Sequence, residues 1–421
     1  MKIAVWHNLL GGGGKRALFY HVRGLRERGH VLESWCPSSA DQAYLPLGEL
    51  ITEHIDHVAI REIRWPRLRY HELGVAVTIR RRLKAMIEHS HRCGREMDRG
   101  GFDVLFANSC VFFGSPQIAR HSRLPSVLYL QEPYRRLYEA QPRLPWPAPS
   151  PDRYPSCYSP RYLRHWLADW ISLPMMRIQA REELRNARAF TSILVNSLYS
   201  RESVLRAYGI DACPCYLGVD TELFVDRHER RDAFVIGIGS VTRNKNIEFV
   251  IAAVARLKGD ARRLMWIGNM AEPAYVEELR SLASRLDVVL EVKLRASDAE
   301  IVDLLNRAAV MAYAPRLEPF GFAPLEANAC GLAVVGVAEA GVRETIVDQV
   351  NGLLCEPDPQ AMADAIQRLV DNPAYAKELG ANGRATVESR WSLEAATDRI
   401  ESRLLEAAVN PGASGGRGER A

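Results

Sequence analysis

Two carboxylates stand eight positions apart in Glu318-Pro-Phe-Gly-Phe-Ala-Pro-Leu-Glu326, across a stretch that reads as a strand-to-helix turn. The apolar run Val310–Pro315 before it suits a buried strand. Pro324 suits a first helical residue, because it has no N–H to be orphaned there. The pattern predicts one or two helical turns from Pro324 to Cys330, stopped by Gly331. Glu318 then falls in the loop at the carboxyl end of a strand, and Glu326 inside the first turn of the helix. In a parallel α/β sheet that crevice is where ligands bind, and the N–H groups of a helix start favour an anion. Two acids beside an anion site fit a ligand that carries hydroxyls as well, and a nucleotide sugar has both. A retaining glycosidase pair fits less well, since it needs two carboxyls roughly 5 Å apart and these two are separated by a helical turn. Favouring the helix dipole would account for Glu326 alone, but not for Glu318-Pro-Phe-Gly.

Cations stand in a second loop. Gly237-Ile-Gly-Ser-Val-Thr-Arg-Asn-Lys245 follows another apolar strand and lacks the dinucleotide fingerprint, with Thr242 at the third glycine position. It offers Arg243 and Lys245 to a pyrophosphate whose charge grows as a glycosidic bond breaks, and fixed cations aimed at developing charge are a large catalytic term. A pair of ordinary surface cations is the plain alternative. Gly11-Gly-Gly-Gly-Lys15 follows the first strand but fails as a Walker A loop, with Leu9 in place of the first glycine and Arg16 in place of Ser/Thr. It reads as a loop closing over a substrate cleft, against the alternative of a flexible turn. His54 with His57 and His89 with His91 are pairs without a third ligand at useful spacing, and there is no Asp-x-Asp to hold a divalent ion. The expectation is no metal and no cofactor.

The elements around these motifs alternate. Ile3–Trp6, Val104–Ala107, Ser126–Leu130 and Ser192–Val195 are expected strands of a first half, with a helix over about Ala17–Arg28. The chain turns polar at Asp226–Asp232 and restarts at Ala233–Ile238, followed by Arg263–Ile267, Val288–Val292, Val310–Ala314 and Leu332–Val337. This is the pattern of doubly wound parallel sheets. The expected division is an N-terminal domain over 1–228, a C-terminal domain over 229–392, a helix over 393–408 and a disordered tail over 409–421. Residues 142–160 hold seven prolines and read as an extended excursion.

The 421 residues carry 55 Lys+Arg against 51 Asp+Glu, a net +4 that argues against nucleic-acid binding. Eight scattered cysteines without a CxxC, no 18-residue apolar run and no signal-peptide pattern point to a reduced, cytoplasmic protein. Residues 61–99 carry eleven Lys/Arg against five Asp/Glu. Arg80-Arg-Arg-Leu-Lys84 there lies on an amphipathic helix over Val75–Ile87. It reads either as contact with an anionic membrane surface or as a solvated face.

Together these residues resemble a family 4 retaining glycosyltransferase (glycosyltransferase group 1), whose GT-B fold has two facing Rossmann-like domains with parallel sheets and an interdomain cleft. Besides the segments above, Ile193–Ser203, Tyr216–Phe224, Gly341-Val-Arg-Glu344 and Asn351-Gly-Leu-Leu354 carry the likeness, with Glu318 and Glu326 as its E-x7-E signature. The resemblance implies that Glu318 contacts donor-sugar hydroxyls and that Phe320, Gly321 and Phe322 present backbone N–H groups to sugar and phosphate. It implies that Glu326 holds the ribose, that Arg243 or Lys245 holds the pyrophosphate, and that Gly12, Gly13, Gly239, Ser240 and Leu325 complete the donor site. It also implies that the last helix crosses back to the first domain. Two departures stand out. Ser240 occupies a usual arginine position, with Arg243 as its substitute, and Gln131 stands where many members place a histidine beside the reacting centre.

The expected function is metal-independent transfer, with retention, of a sugar from a nucleotide diphosphate sugar, UDP-linked, to a hydroxyl of a glycan or lipid-linked acceptor at the inner membrane face. The alternatives are a sugar-nucleotide epimerase on the same fold and an inactive nucleotide-sugar-binding subunit.

Overall fold

The protein is described here from a computed structural model, covering residues 1–58, 71–139 and 156–409. Two compact units emerge. One comprises Met1–Val195, Arg201–Pro214 and the segment from Ile400, and the other comprises Asn196–Ser200 and Cys215–Arg399. Residues 215–228 thus go with the second unit, ahead of the division expected at 228. Side chains of the second unit hold this segment. Arg384 donates to the carbonyls of Thr221 and Phe224, and Asn306 donates to the Val225 carbonyl and accepts from the Arg227 N–H.

The first unit is built on a parallel sheet in the order β3-β2-β1-β4-β5-β6-β7. Its strands are β1 Lys2–Asn8, β2 Val31–Pro37, β3 Thr52–Asp56, β4 Val104–Cys110, β5 Ser126–Gln131, β6 Ser192–Val195 and β7 Cys213–Pro214. β1 and β4 are almost wholly buried, as runs covered on both faces must be. β2, β3 and β7 were not expected. Thr52-Glu-His-Ile-Asp56 is polar because it lies at the sheet edge, and β7 is two residues long. The first helix runs Gly13–Glu27, four residues earlier than expected, and buries Leu18, His21, Val22 and Leu25 on one face.

The basic stretch belongs to a helix over His71–Arg99. Its arginine run is split. Arg80, Arg81 and Lys84 are exposed, whereas the guanidinium of Arg82 lies 5.1 Å over the Phe112 ring. The proline-rich stretch up to residue 155 and the tail from 410 lie outside the described residues. The final helix is Leu393–Val409, and from Ile400 on it is counted with the first unit. There Glu401 accepts from Arg28 at 2.5 Å and pairs with His30 at 2.6 Å. Among the described residues no helix is long and apolar enough to cross a membrane.

The second unit holds a parallel sheet in the order β10-β9-β8-β11-β12-β13. Its strands are β8 Val235–Ile238, β9 Arg263–Gly268, β10 Val289–Leu294, β11 Val310–Tyr313, β12 Val334–Val337 and β13 Leu353–Cys355. Val250, Leu264, Trp266, Val310, Val335 and Ile366 are among the residues of its core. The strand order reverses between β8 and β11, and loops at the carboxyl ends of such a pair open the crevice that takes ligands. Those two loops carry Lys245 and Glu318.

Candidate active site

After β8 the chain must turn tightly beneath a lysine stem. A Cβ at Gly239 would stand 3.1–3.3 Å from Lys245 side-chain carbons, and the Gly239 carbonyl accepts from Trp266 Nε1 at 2.8 Å. The loop from Ser240 continues into a single 3-10 turn over Arg243–Lys245, and Asn246 then adopts φ 53°. Two bonds tie this loop to the exit of β11. Asn246 Nδ2 donates to the Ala314 carbonyl at 3.2 Å, and the Arg316 N–H donates to the Asn244 carbonyl at 3.1 Å. Lys245 Nζ thereby reaches Glu318 Oε2 at 2.6 Å, in a pair about four-fifths buried.

Arg243, two residues earlier, goes elsewhere. Its guanidinium pairs with Glu278 at 2.6 Å and lies 4.8 Å over the Tyr275 ring, on an exposed surface. The structure therefore brings together Lys245 and Glu318 and leaves Arg243 apart from them. Ser240 bonds Thr242 at 3.2 Å.

The Glu318 loop is held in an unusual backbone shape. Leu317 (φ 49°) and Ala340 (φ 51°) have positive φ, and such strain in a non-glycine residue persists only where the surroundings over-determine it; Gly321 (φ 94°) takes the same region freely. Leu317 N–H donates to Glu339 Oε1 at 2.8 Å, and Gly341 N–H to the Glu318 carbonyl at 2.9 Å. Any Cβ at Gly341 would fall 2.0 Å from the Pro319 carbonyl oxygen. Gly341 is needed for the Gly-Val-Arg-Glu segment to brace the first acid of the signature. Glu344 has a structural task. It accepts from the Leu198 and Tyr199 N–H groups and from the Tyr216 hydroxyl.

The following helix is Phe322–Ala329. It starts two residues before the expected Pro324, because Gly321 in the left-handed region supplies the turn. Pro324 is the third helical residue, still where a missing N–H is harmless. Glu326 is the fifth, just past the first turn rather than inside it, and only 4% exposed. The N–H of Ala323, in the first turn, has no acceptor within the helix. Leu325 has a fully buried side chain, and its N–H is placed for the first intrahelical bond, to the Gly321 carbonyl. Phe320 is buried against Phe322 and Trp391, with ring centroids at 5.5 and 5.6 Å.

Tyr313, at the end of β11, links the two acids. Its phenol is raised well above its ordinary value by burial first, and then by the carboxylates of Glu318 and of Glu326. Both charges thus act on one hydroxyl. Tyr313 was not singled out in the sequence, where it reads as one more residue of a strand.

In the first unit, Gly12 caps the first helix with φ 144° and Gly13 begins it. A Cβ on Gly14 would meet Gln131 Nε2 at 2.8 Å. Gln131 ends β5 with φ 65° where the β5–β6 register shifts, and its buried Nε2 has no protein partner. Such an orphaned amide at a strand tip calls for a partner.

The loop after Gln131 is held by a buried acid. Glu183 accepts from the Gly114 N–H at 2.9 Å, from Gln179 Nε2 at 2.5 Å, from the Tyr208 hydroxyl and from the backbone of Tyr134. Burial pushes its carboxyl up to about 7, against those bonds. The folded protein then binds a proton that the unfolded chain has released, so Glu183 contributes stability below its unfolded pKa and loses it as pH rises to about 7. Replacing Glu183 by Gln is expected to flatten the fall in Tm over that window, read from thermal melts at several pH values.

A further cluster comes from three strands with no local spacing to reveal it. His7, Cys36 and Glu53 bring one ligand-type atom each within 4.8 Å of one another, a grouping the sequence did not suggest. His7 Nε2 pairs with Glu53 at 3.0 Å, and Gln42 Nε2 donates to Cys36 Sγ at 3.2 Å. The fully buried Lys15 lies in the same field, its ammonium disfavoured by burial and supported by Glu53. That cation makes the cluster a poor host for a metal ion. Burial and Glu53 raise the Cys36 thiol to about 12.

Residues 219–386 match the family of glycosyl transferases group 1. Alpha-1,3/1,6-mannosyltransferase ALG2 of Homo sapiens is 30% identical over 180 residues, covering 39% of this chain and 43% of that protein. Alpha-maltose-1-phosphate synthase of Mycolicibacterium smegmatis is 29% identical over 253 residues, covering 53% of this chain and 64% of that one. The chain thus spans less than two thirds of the length of these curated relatives. Among solved structures, sucrose-phosphate synthase from Thermosynechococcus elongatus superposes with a TM-score of 0.70 at 18% identity, over 97% of this chain and 99% of that one. Anabaena HepE in complex with UDP and glucose gives 0.65 at 19% identity, over 96% and 100%. Each sheet is of the parallel, Rossmann-like kind that those folds share. The match to glycosyl transferases group 1 lies wholly within the second unit, and the fold is GT-B.

Proposed function

We propose that the protein transfers a sugar, with retention and without a metal, from a UDP-linked donor to a hydroxyl of a cell-surface glycan or lipid-linked acceptor. The observation that carries this reading is the Lys245–Glu318 pair at the β8 and β11 tips, beside the Gly321 turn and the buried Glu326. Match to a family that uses nucleotide-sugar donors supports it, as does the UDP held by the structurally similar HepE.

In this reading the pyrophosphate competes with Glu318 for the Lys245 ammonium and lies at the start of the helix Phe322–Ala329, where an anion is favoured. Glu318, so released, accepts from donor-sugar hydroxyls, and Glu326 holds the two ribose hydroxyls. As the bond from the anomeric carbon to the phosphate oxygen breaks, charge grows on that oxygen next to Lys245. The acceptor oxygen bonds the anomeric carbon from the face being vacated, and its proton passes to the departing phosphate oxygen. Gln131, whose amide Nε2 has no protein partner, is assigned to hold a substrate hydroxyl.

Lys245 fills the charge-neutralising role that a divalent ion has in other transferases. Turnover is therefore expected to be unchanged in excess EDTA, and a strict requirement for added Mg²⁺ or Mn²⁺ would count against this site. The reading is tested by incubating the protein with UDP-sugars and candidate acceptors and following product by mass spectrometry. Donor consumed only to its epimer, with no acceptor glycosylated by any donor, would favour the epimerase instead.

A further inference from the structure

Away from the candidate site, the long helix Pro160–Ala187 carries apolar side chains into solvent. Its second half is anchored. Gln179, Glu182, Glu183 and Asn186 are buried, with Gln179 donating to the Phe112 carbonyl and Asn186 to the Ser115 carbonyl, each at 2.9 Å. The first half behaves differently: Leu163, Trp166, Leu167, Trp170 and Leu173 are 50%, 52%, 49%, 64% and 39% exposed. At 3.6 residues per turn these five positions share one arc of roughly 120°. Such a stripe ordinarily faces a core, and here it faces out. Tyr158, just before the helix, is 84% exposed.

The chemistry of the stripe and its flanks names what covers it. Tryptophan favours the boundary between headgroups and acyl chains, where its ring is apolar and its N–H meets water. From Pro160 to Arg181 the helix carries Arg161, Arg164, Arg177 and Arg181 against the single acid Asp169. It packs against the helix His71–Arg99, which exposes Arg80, Arg81 and Lys84. Apolar side chains at the interface plus cations drawn to anionic headgroups are the two contributions that together hold a protein on a bilayer.

We propose that the face formed by Leu163, Trp166, Leu167, Trp170 and Leu173 docks the protein in plane on an anionic lipid bilayer. The sequence offered Arg80–Lys84 as a contact with an anionic membrane surface. Those cations now assist, and the tryptophan face inserts. The docking is independent of which sugar is moved.

The test is co-sedimentation of the full chain with vesicles of phosphatidylcholine alone and with 30% phosphatidylglycerol (a composition chosen as roughly that of an anionic leaflet). The expected result is binding to the anionic vesicles only, with a blue shift of tryptophan emission. Trp166→Ala with Trp170→Ala is expected to weaken binding roughly tenfold or more while leaving the Tm and UDP affinity unchanged. Three results would overturn the proposal: no binding by the wild-type chain, equal binding by the double variant, or a dimer that the substitutions split without any vesicle binding. UDP affinity, read separately by calorimetry, keeps this outcome distinct from failure of the transferase reading.

Discussion

Replacing Lys245 by Ala is expected to lower kcat by roughly 10²-fold or more, with the fold intact. The argument rests on where Lys245 points. It is held over Glu318 by Gly239 below its stem and by the Asn246–Ala314 and Arg316–Asn244 bonds at its base. A cation fixed there has no reorganisation left to make when charge grows on a leaving phosphate. Its loss should show in the turnover number, and a thermal melt reads any cost to the fold separately. Replacing Arg243 by Ala is the contrasting control. Its guanidinium is engaged with Glu278 on an exposed surface, so less than about threefold loss is expected, of the size that a screened surface charge produces. Steady-state kinetics on the two variants checks both statements. Near-normal turnover in the Lys245 variant would exclude its role.

Replacing Glu326 by Gln is expected to weaken UDP binding roughly 10- to 100-fold, since hydrogen bonds to a charged group contribute about 1.5–3 kcal/mol. Gln keeps the size of this 4%-exposed side chain, so the helix Phe322–Ala329 should survive, whereas Ala would leave a cavity as well. Calorimetry with UDP measures the loss directly. Unchanged affinity in the Gln variant would leave Glu326 as a buried acid of the helix with no part in holding the donor.

Much of this was legible in the sequence. β8, β9, β11 and β12 are short apolar runs because a parallel sheet covered by helices buries both strand faces. The E-x7-E segment announced a strand-loop-helix, and it is one, displaced by two residues because Gly321 rather than Pro324 makes the turn. β3 was hidden because an edge strand can be as polar as Thr52-Glu-His-Ile-Asp56, and β13 because three residues carry no period. The site was half visible. Residue types named Arg243 and Lys245 alike, but only the 3-10 turn decides that one meets Glu318 and the other Glu278. Tyr313, and the His7, Cys36, Glu53 and Lys15 cluster, depend on which strands lie side by side. That information is spread over distant parts of the chain and leaves no local spacing to read.

The central claim is that a sugar diphosphate lies across the β8 and β11 tips of the second unit. A crystal structure of the protein soaked with UDP tests it most directly. The account predicts a phosphate oxygen within hydrogen-bond distance of Lys245 Nζ and the ribose hydroxyls on Glu326. A nucleotide bound elsewhere, with Lys245 still closed on Glu318, would contradict it.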